Sequence, residues 1–167
     1  NNMSITAAFT ATASACALAP SGLVGWWPGA TNANDIVGTN NGALEGVSFP
    51  AGKVGQSFSF DGSGSAVILA ASPDLQFTTQ FTLEAWINPT DVTNSRQMFS
   101  AMRDLPSQSW HYQMGLAPSG ALRMEISANN TNYDYLVSSN GALTNNTWAH
   151  VAATFNAGVM KLYVNGI

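Results

Sequence analysis

The sequence predicts an all-β, antiparallel fold of the sandwich or barrel kind, on three observations. From Leu23 onward, short apolar or alternating runs recur at close intervals with turn chemistry between them. Helical periodicity is nowhere sustained. Strict alternation is cleanest in Phe81-Thr82-Leu83-Glu84-Ala85-Trp86-Ile87-Asn88-Pro89, which reads as a strand closed by a proline. Phe81, Leu83, Ala85 and Ile87 share one face, which is core, and Thr82, Glu84, Trp86 and Asn88 share the other. That second face is either a binding or catalytic surface or a more polar layer of packing filled by Trp86.

Taken in order, Leu23-Val24-Gly25-Trp26-Trp27 is the first candidate strand, stopped by Pro28-Gly29. A polar loop dense in Asn and Gly follows over 31–42, with Asp35 as its one charge. It is ordered either by its own Asx turns or by a cation. Residues 43–49 and 57–60 read as strands ended by Pro50 and by the Asp61-Gly62 turn. Residues 66–69 form a short strand, and Ser72-Pro73-Asp74 opens a single helical turn. After the strand at 81–89 comes a loop over 91–95, then a strand over 98–102. Residues 109–116 alternate Trp110, Tyr112 and Met114 against His111, Gln113 and Gly115. Pro118-Ser119-Gly120 turns that strand back into Leu122-Arg123-Met124-Glu125-Ile126, giving a hairpin. Strands at 133–138, 148–155 and 159–164 complete the list, and Asn165-Gly166 is a two-residue hairpin signal beyond them. A hairpin turn without its second strand predicts a fold incomplete at the carboxy end.

Composition bounds the function. The 167 residues suit one domain with a sizeable core. Only 8% are charged, about a third of the usual share, while Asn, Thr, Ser and Gly are plentiful, as in secreted β-proteins. A net charge of −4 with five Lys and Arg argues against nucleic acid, which requires a basic stripe, and against anionic membranes. No apolar run is long enough to span a bilayer, so membrane insertion is not expected. Cys16 is the one cysteine, which excludes an intramolecular disulfide framework and a thiolate cluster. Residues 1–21 read as a linker or the tail of a preceding domain, rich in Ala, Thr and Ser, with 4–12 as a candidate last strand of that domain. Oligomeric state is not legible.

Gly22-Leu23-Val24-Gly25-Trp26-Trp27-Pro28, Ala33-Asn34-Asp35-Ile36-Val37-Gly38 with Asn41-Gly42, and Gly52-Lys53-Val54-Gly55-Gln56-Ser57-Phe58 with Phe60-Asp61-Gly62 precede the 81–89 strand. Trp148-Ala149-His150-Val151-Ala152 and Leu162-Tyr163-Val164-Asn165-Gly166 follow it. In that order these motifs resemble bacterial LamG-like jellyroll domains of the concanavalin A-like lectin/glucanase superfamily, over residues 22–167. The resemblance implies a two-sheet antiparallel jellyroll sandwich, commonly non-catalytic, in a larger extracellular or cell-surface protein. It also implies a structural calcium at the 32–42 loop. Asp35 matches the family's aspartate and Gly38 and Asn41 lie in the matching turn, but the acidic closing strand of the family is missing here.

The residues favour binding over catalysis. A retaining glycosidase needs two carboxyl groups about 5–5.5 Å apart. The same-face neighbours of Glu84 are Thr82 and Trp86, and those of Glu125 are Arg123 and Ser127, so neither strand carries a pair. The Glu-x-Asp-x-x-Glu arrangement of the related glucanases is absent. His111 and His150 have no partner at ligand spacing, and no nucleophile elbow or phosphate loop occurs. Sugar binding needs an exposed aromatic platform among hydrogen-bonding groups. One candidate set is Trp110 and Tyr112 with His111 and Gln113. The preferred set is Tyr133 and Tyr135 with Asn132 and Asp134, beside Asn129 and Asn130, because it is more polar and adjoins a loop. The expectation is a non-catalytic recognition or adhesion module with a polysaccharide, glycan or protein partner. A structural spacer and a glycoside hydrolase-like enzyme are the rivals.

Overall fold

The computed structural model describes residues 19–77, 79–101, 111–127 and 133–167. The expected linker and strand within 1–18, Cys16, Met102, Trp110, Asn129, Asn130 and Asn132 lie outside them. The described residues form nine strands: β1 (Gly42–Glu45), β2 (Ala66–Leu69), β3 (Gln80–Ile87), β4 (Arg96–Ala101), β5 (His111–Ala117), β6 (Ala121–Ser127), β7 (Tyr133–Val137), β8 (Ala149–Asn156) and β9 (Val159–Val164). No described helix is long and apolar enough to cross a membrane.

All pairings are antiparallel. β1 and β2 form a two-stranded ribbon, β3-β8-β9 a three-stranded sheet, and β4-β5-β6-β7 a four-stranded sheet. The last two pack face to face as a jellyroll sandwich, and the alternation in sequence explains why. Phe81, Leu83, Ala85 and Ile87 of β3 turn inward with Val151, Ala153 and Phe155 of β8 and Leu162 of β9. They meet Tyr112, Met114 and Leu116 of β5 and Leu122, Met124 and Ile126 of β6. Met114, Leu122, Met124 and Val151 are fully buried. At one end the Phe81 ring lies 4.9 Å from Tyr112 and 5.7 Å from Phe155, a cluster in which tilted rings add to area burial.

The turns follow the expected chemistry. β5 and β6 are joined by Pro118–Gly120, a 3-10 turn with Ser119 and Gly120 at positive φ. Gly120 is required there because a side chain would meet the Leu143 carbonyl. The β8-β9 loop is the two residues Ala157 and Gly158, both at positive φ. Asn165 and Gly166 form the expected turn, with Val164 and Ile167 exchanging both backbone hydrogen bonds.

Three expectations are corrected. Residues 23–27 are not a strand, since Trp26 is tied to the 31–42 loop by isolated hydrogen bonds and no ladder forms. Residues 43–49 give a strand only to Glu45, where Gly46 turns to positive φ, and 57–60 contribute only the isolated Ser48-Ser59 bridge. Trp86 does not fill a second layer of packing: it is 47% exposed on the outer face of the three-stranded sheet.

Candidate binding face

The outer face of the four-stranded sheet gathers polar side chains because β5 and β6 alternate in phase. Each inward Tyr112, Met114, Leu122, Met124 and Ile126 alternates with an outward residue, and the hairpin register sets those outward residues opposite one another. Ser100, Gln113, Glu125 and Tyr135 form one row across the four strands, and Gln97, Gly115, Arg123 and Val137 form the next. Within them, Gln97 Nε2 donates to Gln113 Oε1 at 2.9 Å, and Arg123 Nη2 lies 3.6 Å from Glu125 Oε2. Gln113 is buried, so its amide orientation is fixed by this pairing.

Gly115 forms a low point within the second row. A Cβ there would strike the Arg96 carbonyl, so the position requires glycine if β4 is to keep its register. Above it lies a depression of about 260 Å³ lined by Ser95, Arg96, Gln97, Gln113, Gly115 and Arg123 among others. Donors and acceptors converge there in the hydroxyl, amide and guanidinium forms that hydrogen-bond hydroxyl groups. At the β7 edge, Tyr133 and Tyr135 are 44% and 67% exposed on the same outer face.

The preferred sequence set is therefore divided. Tyr133 and Tyr135 share the outer face. Asp134 sits in register with the inward Ile126, on the opposite side of β7, and Asn132 lies outside the described residues. In the other set, Tyr112 belongs to the core and its hydroxyl donates to the Leu75 carbonyl at 3.0 Å, while Gln113 is on the candidate face. Gln97, Arg123 and Glu125 were not singled out as binding residues from sequence. The signal that finds them is the register imposed by the Pro118-Ser119-Gly120 turn, which pairs Gln113 with Glu125 and Gly115 with Arg123.

The residues expected to hold calcium are bound to each other. Asp35 is 7% exposed. Its Oδ1 accepts from the Trp26, Val37 and Gly38 N–H groups at 3.0, 3.1 and 3.0 Å, and Oδ2 accepts from the Asn40 N–H at 3.2 Å. Asn41 Oδ1 accepts from the Asp35 N–H at 2.9 Å. Three of these four N–H donors converge on Oδ1 and one meets Oδ2. Both oxygens are thus taken up by backbone amides, and these bonds order the loop in the manner of Asx turns. Burial, the largest influence on the carboxyl, raises its pKa, but the bonds from Gly38, Trp26, Val37 and Asn40 together hold it below the ordinary 3.8. No group of three or more His, Cys, Asp and Glu side chains placed to hold a metal occurs among the described residues.

Glu84, on the outer face of the other sheet, stands 3.8 Å from His150 Nε2 and is exposed to solvent. His150 packs against Trp86, with centroids 5.4 Å apart in an edge-on geometry.

A laminin G family model, described as the concanavalin A-like lectin/glucanases superfamily, matches residues 61–167, the part that runs from β2 through β9. The motifs in 22–60 precede that match. Among solved structures, an S-layer domain-containing protein (residues 221–444) from Clostridium thermocellum is similar, with a TM-score of 0.58 and 21% identity. That similarity covers 86% of this chain and 69% of the other, and it is a likeness of fold. No curated protein matches the chain.

Proposed function

Because the chain belongs to the concanavalin A-like lectin/glucanases superfamily, we propose that it is a non-catalytic recognition module of an extracellular or cell-surface protein, binding a glycan on the outer face of its four-stranded sheet. The observation that carries this reading is the pair of cross-strand rows, Ser100-Gln113-Glu125-Tyr135 and Gln97-Gly115-Arg123-Val137. A sugar ring presents an apolar face and a rim of hydroxyls. Tyr135 offers an exposed ring beside amide, guanidinium and carboxylate groups, and the depression lined by Gln97, Gln113 and Arg123 can admit a hydroxyl. Recognition of this kind works by shape, stacking and hydrogen bonding, with no bond made or broken.

The superfamily spans lectins and glucanases, and the carboxylates favour the lectin-like role. Glu125 is the one carboxylate that the described strands place on this face, and it is engaged by Arg123. Asp134 belongs to the opposite side of β7, so the pair that glycoside hydrolysis needs is not assembled from these strands. An extracellular setting is supported by a composition rich in neutral hydrogen-bonding groups and poor in charge, and a protein with an S-layer domain shares the fold.

The test is a glycan array probed with the purified chain, followed by titration of the best ligand against Gln113→Ala and Tyr135→Ala. Retention of a glycan, weakened about tenfold or more by each substitution, supports the reading. Retention of no glycan favours a structural spacer, and release of reducing ends from a retained polysaccharide would establish an enzyme.

A further inference from the structure

The outer face of the three-stranded sheet carries a second set of residues that the glycan face does not use. The register aligns Trp86 with His150, Glu84 with Ala152 and Tyr163, Thr82 with Thr154 and Lys161, and Gln80 with Asn156 and Val159. The buried Ala152 keeps the middle of the face low. A groove of about 670 Å³ lies over the part of this face nearer Gln80, lined by Gln80, Thr82, Thr154, Asn156, Lys161 and Tyr163 among others. At the other end of the face, beyond the groove, Trp86 stands exposed, braced edge-on by His150, with Lys53 Nζ 5.2 Å from its ring centroid.

Charge decides what suits this face. The chain carries nine acidic residues and only two lysines, Lys53 and Lys161, and both lysines are here. Glu84 is the one carboxylate that β3, β8 and β9 place among them, and His150 stands beside it. In a chain of net charge −4, this face thus brings both lysines to an aromatic platform and a row of hydroxyl and amide side chains, with Glu84 as the one opposing charge on its strands. From Trp86 to Lys161 the path runs four residues along and two strands across, roughly 16 Å. That length suits a chain of linked sugars and exceeds a single ring.

We infer that this face is a second binding site, for an acidic polysaccharide bearing carboxylates, a uronate polymer. One sugar ring stacks at Trp86 after Lys53 swings from the indole to meet a carboxylate. The chain then follows the groove, hydrogen-bonding to Thr82 and Thr154, and a second carboxylate pairs with Lys161. Lys53 is well suited to this because a cation–π contact at an exposed site is weak and is easily exchanged for an ion pair. Attraction of this kind falls with salt, since the lysines are solvent-accessible.

Polygalacturonate and its fully methyl-esterified form have the same backbone and differ in charge, so the pair of probes isolates the lysines. Titration of the full chain should show binding to polygalacturonate at low ionic strength, at least about tenfold weaker for the ester and weakened further by added salt. Lys161→Glu and Trp86→Ala should each reduce the affinity about tenfold or more, with thermal melts confirming that both variants are folded. Lys53→Gln should reduce it by a smaller factor. Equal affinity for the two polymers, binding unaltered in folded Lys161→Glu and Trp86→Ala, or no binding to polygalacturonate would each overturn the inference.

Discussion

The Trp26 amide donates to Asp35 Oδ1 at 3.0 Å, joining a segment without a strand to a loop nine residues further on. The same carboxylate gathers three more amides, from Val37, Gly38 and Asn40, so one side chain closes the loop in place of a sheet ladder. Asp35→Ala leaves those donors, partly buried apart from the buried Asn40 N–H, without an acceptor and should destabilise the fold by about 1–3 kcal/mol, read from urea unfolding. Asp35→Asn keeps one acceptor oxygen and should cost less. Both losses should be equal in calcium and in chelator. A melting temperature raised by calcium in the unmodified chain, and not in Asp35→Ala, would establish a calcium site at this loop.

Acid should unfold the protein through the same kind of contact. Asp35 is held below its ordinary pKa by backbone N–H bonds that outweigh burial. Asp91 is lowered to about 2, first by the Thr93 hydroxyl, then by the Thr93 N–H, Asn94 and Arg96. A carboxyl whose folded pKa is depressed contributes stability that is present above its unfolded pKa, 3.8, and lost as pH falls through the folded value. The denaturation midpoint should therefore be level above about pH 5 and fall steadily below about pH 4. Asp35→Ala should flatten that fall, and an unchanged slope would show that Asp35 is not the group being protonated.

How much of this was legible in the sequence depends on whether a segment's partners are local. β3 and the β5-β6 hairpin were readable because alternation and turn residues act within a few positions of each other, and the structure keeps their faces as expected. Residues 23–27 misled because Trp26 and Trp27 look like a strand, whereas their partners are the Asp35 side chain and the Asn40 carbonyl. Trp86 misled because hydrophobic size argues for burial, and only the three-stranded sheet's architecture leaves its outer face open. The candidate face was half legible. Exposure of Tyr133 and Tyr135 follows from an edge strand, but Asp134 was grouped with them by proximity in sequence, and period two sends it to the other side.

Tyr112 anchors the aromatic end of the core by a hydrogen bond from its hydroxyl to the Leu75 carbonyl, 3.0 Å away. Burial raises its pKa to about 12. The sign is opposite to that of the carboxylates: the contribution is complete below the unfolded value of 10 and lost as pH rises through about 12. Tyr112→Phe retains the ring contacts with Phe77 and Phe81, removes the hydrogen bond and should cost about 1–2 kcal/mol at neutral pH. In alkaline titration the variant should lose less stability above about pH 10 than the unmodified chain. Equal alkaline losses would place the sensitivity elsewhere.

The β8-β9 connection carries a local conflict that substitution can relieve. Ala157 has φ 46° and Gly158 φ 88°, the backbone of a two-residue turn with both central residues left-handed. Gly158 accepts this freely, whereas an alanine Cβ crowds its own carbonyl, at a cost of roughly 1–2 kcal/mol. Asparagine tolerates the conformation, and Asn-Gly is the preferred pair for such a turn. The Ala157 amide bonds to the Thr79 carbonyl at 2.9 Å, and a change of side chain leaves that bond in place. Ala157→Asn should therefore stabilise the protein by about 0.5–1 kcal/mol in urea unfolding. Ala157→Val should do the reverse, because a β-branched side chain fits the left-handed region worst. If both variants matched the unmodified chain, the turn would have to take up another conformation in solution, and the pairing of Asn156 with Val159 would be the next contact to measure.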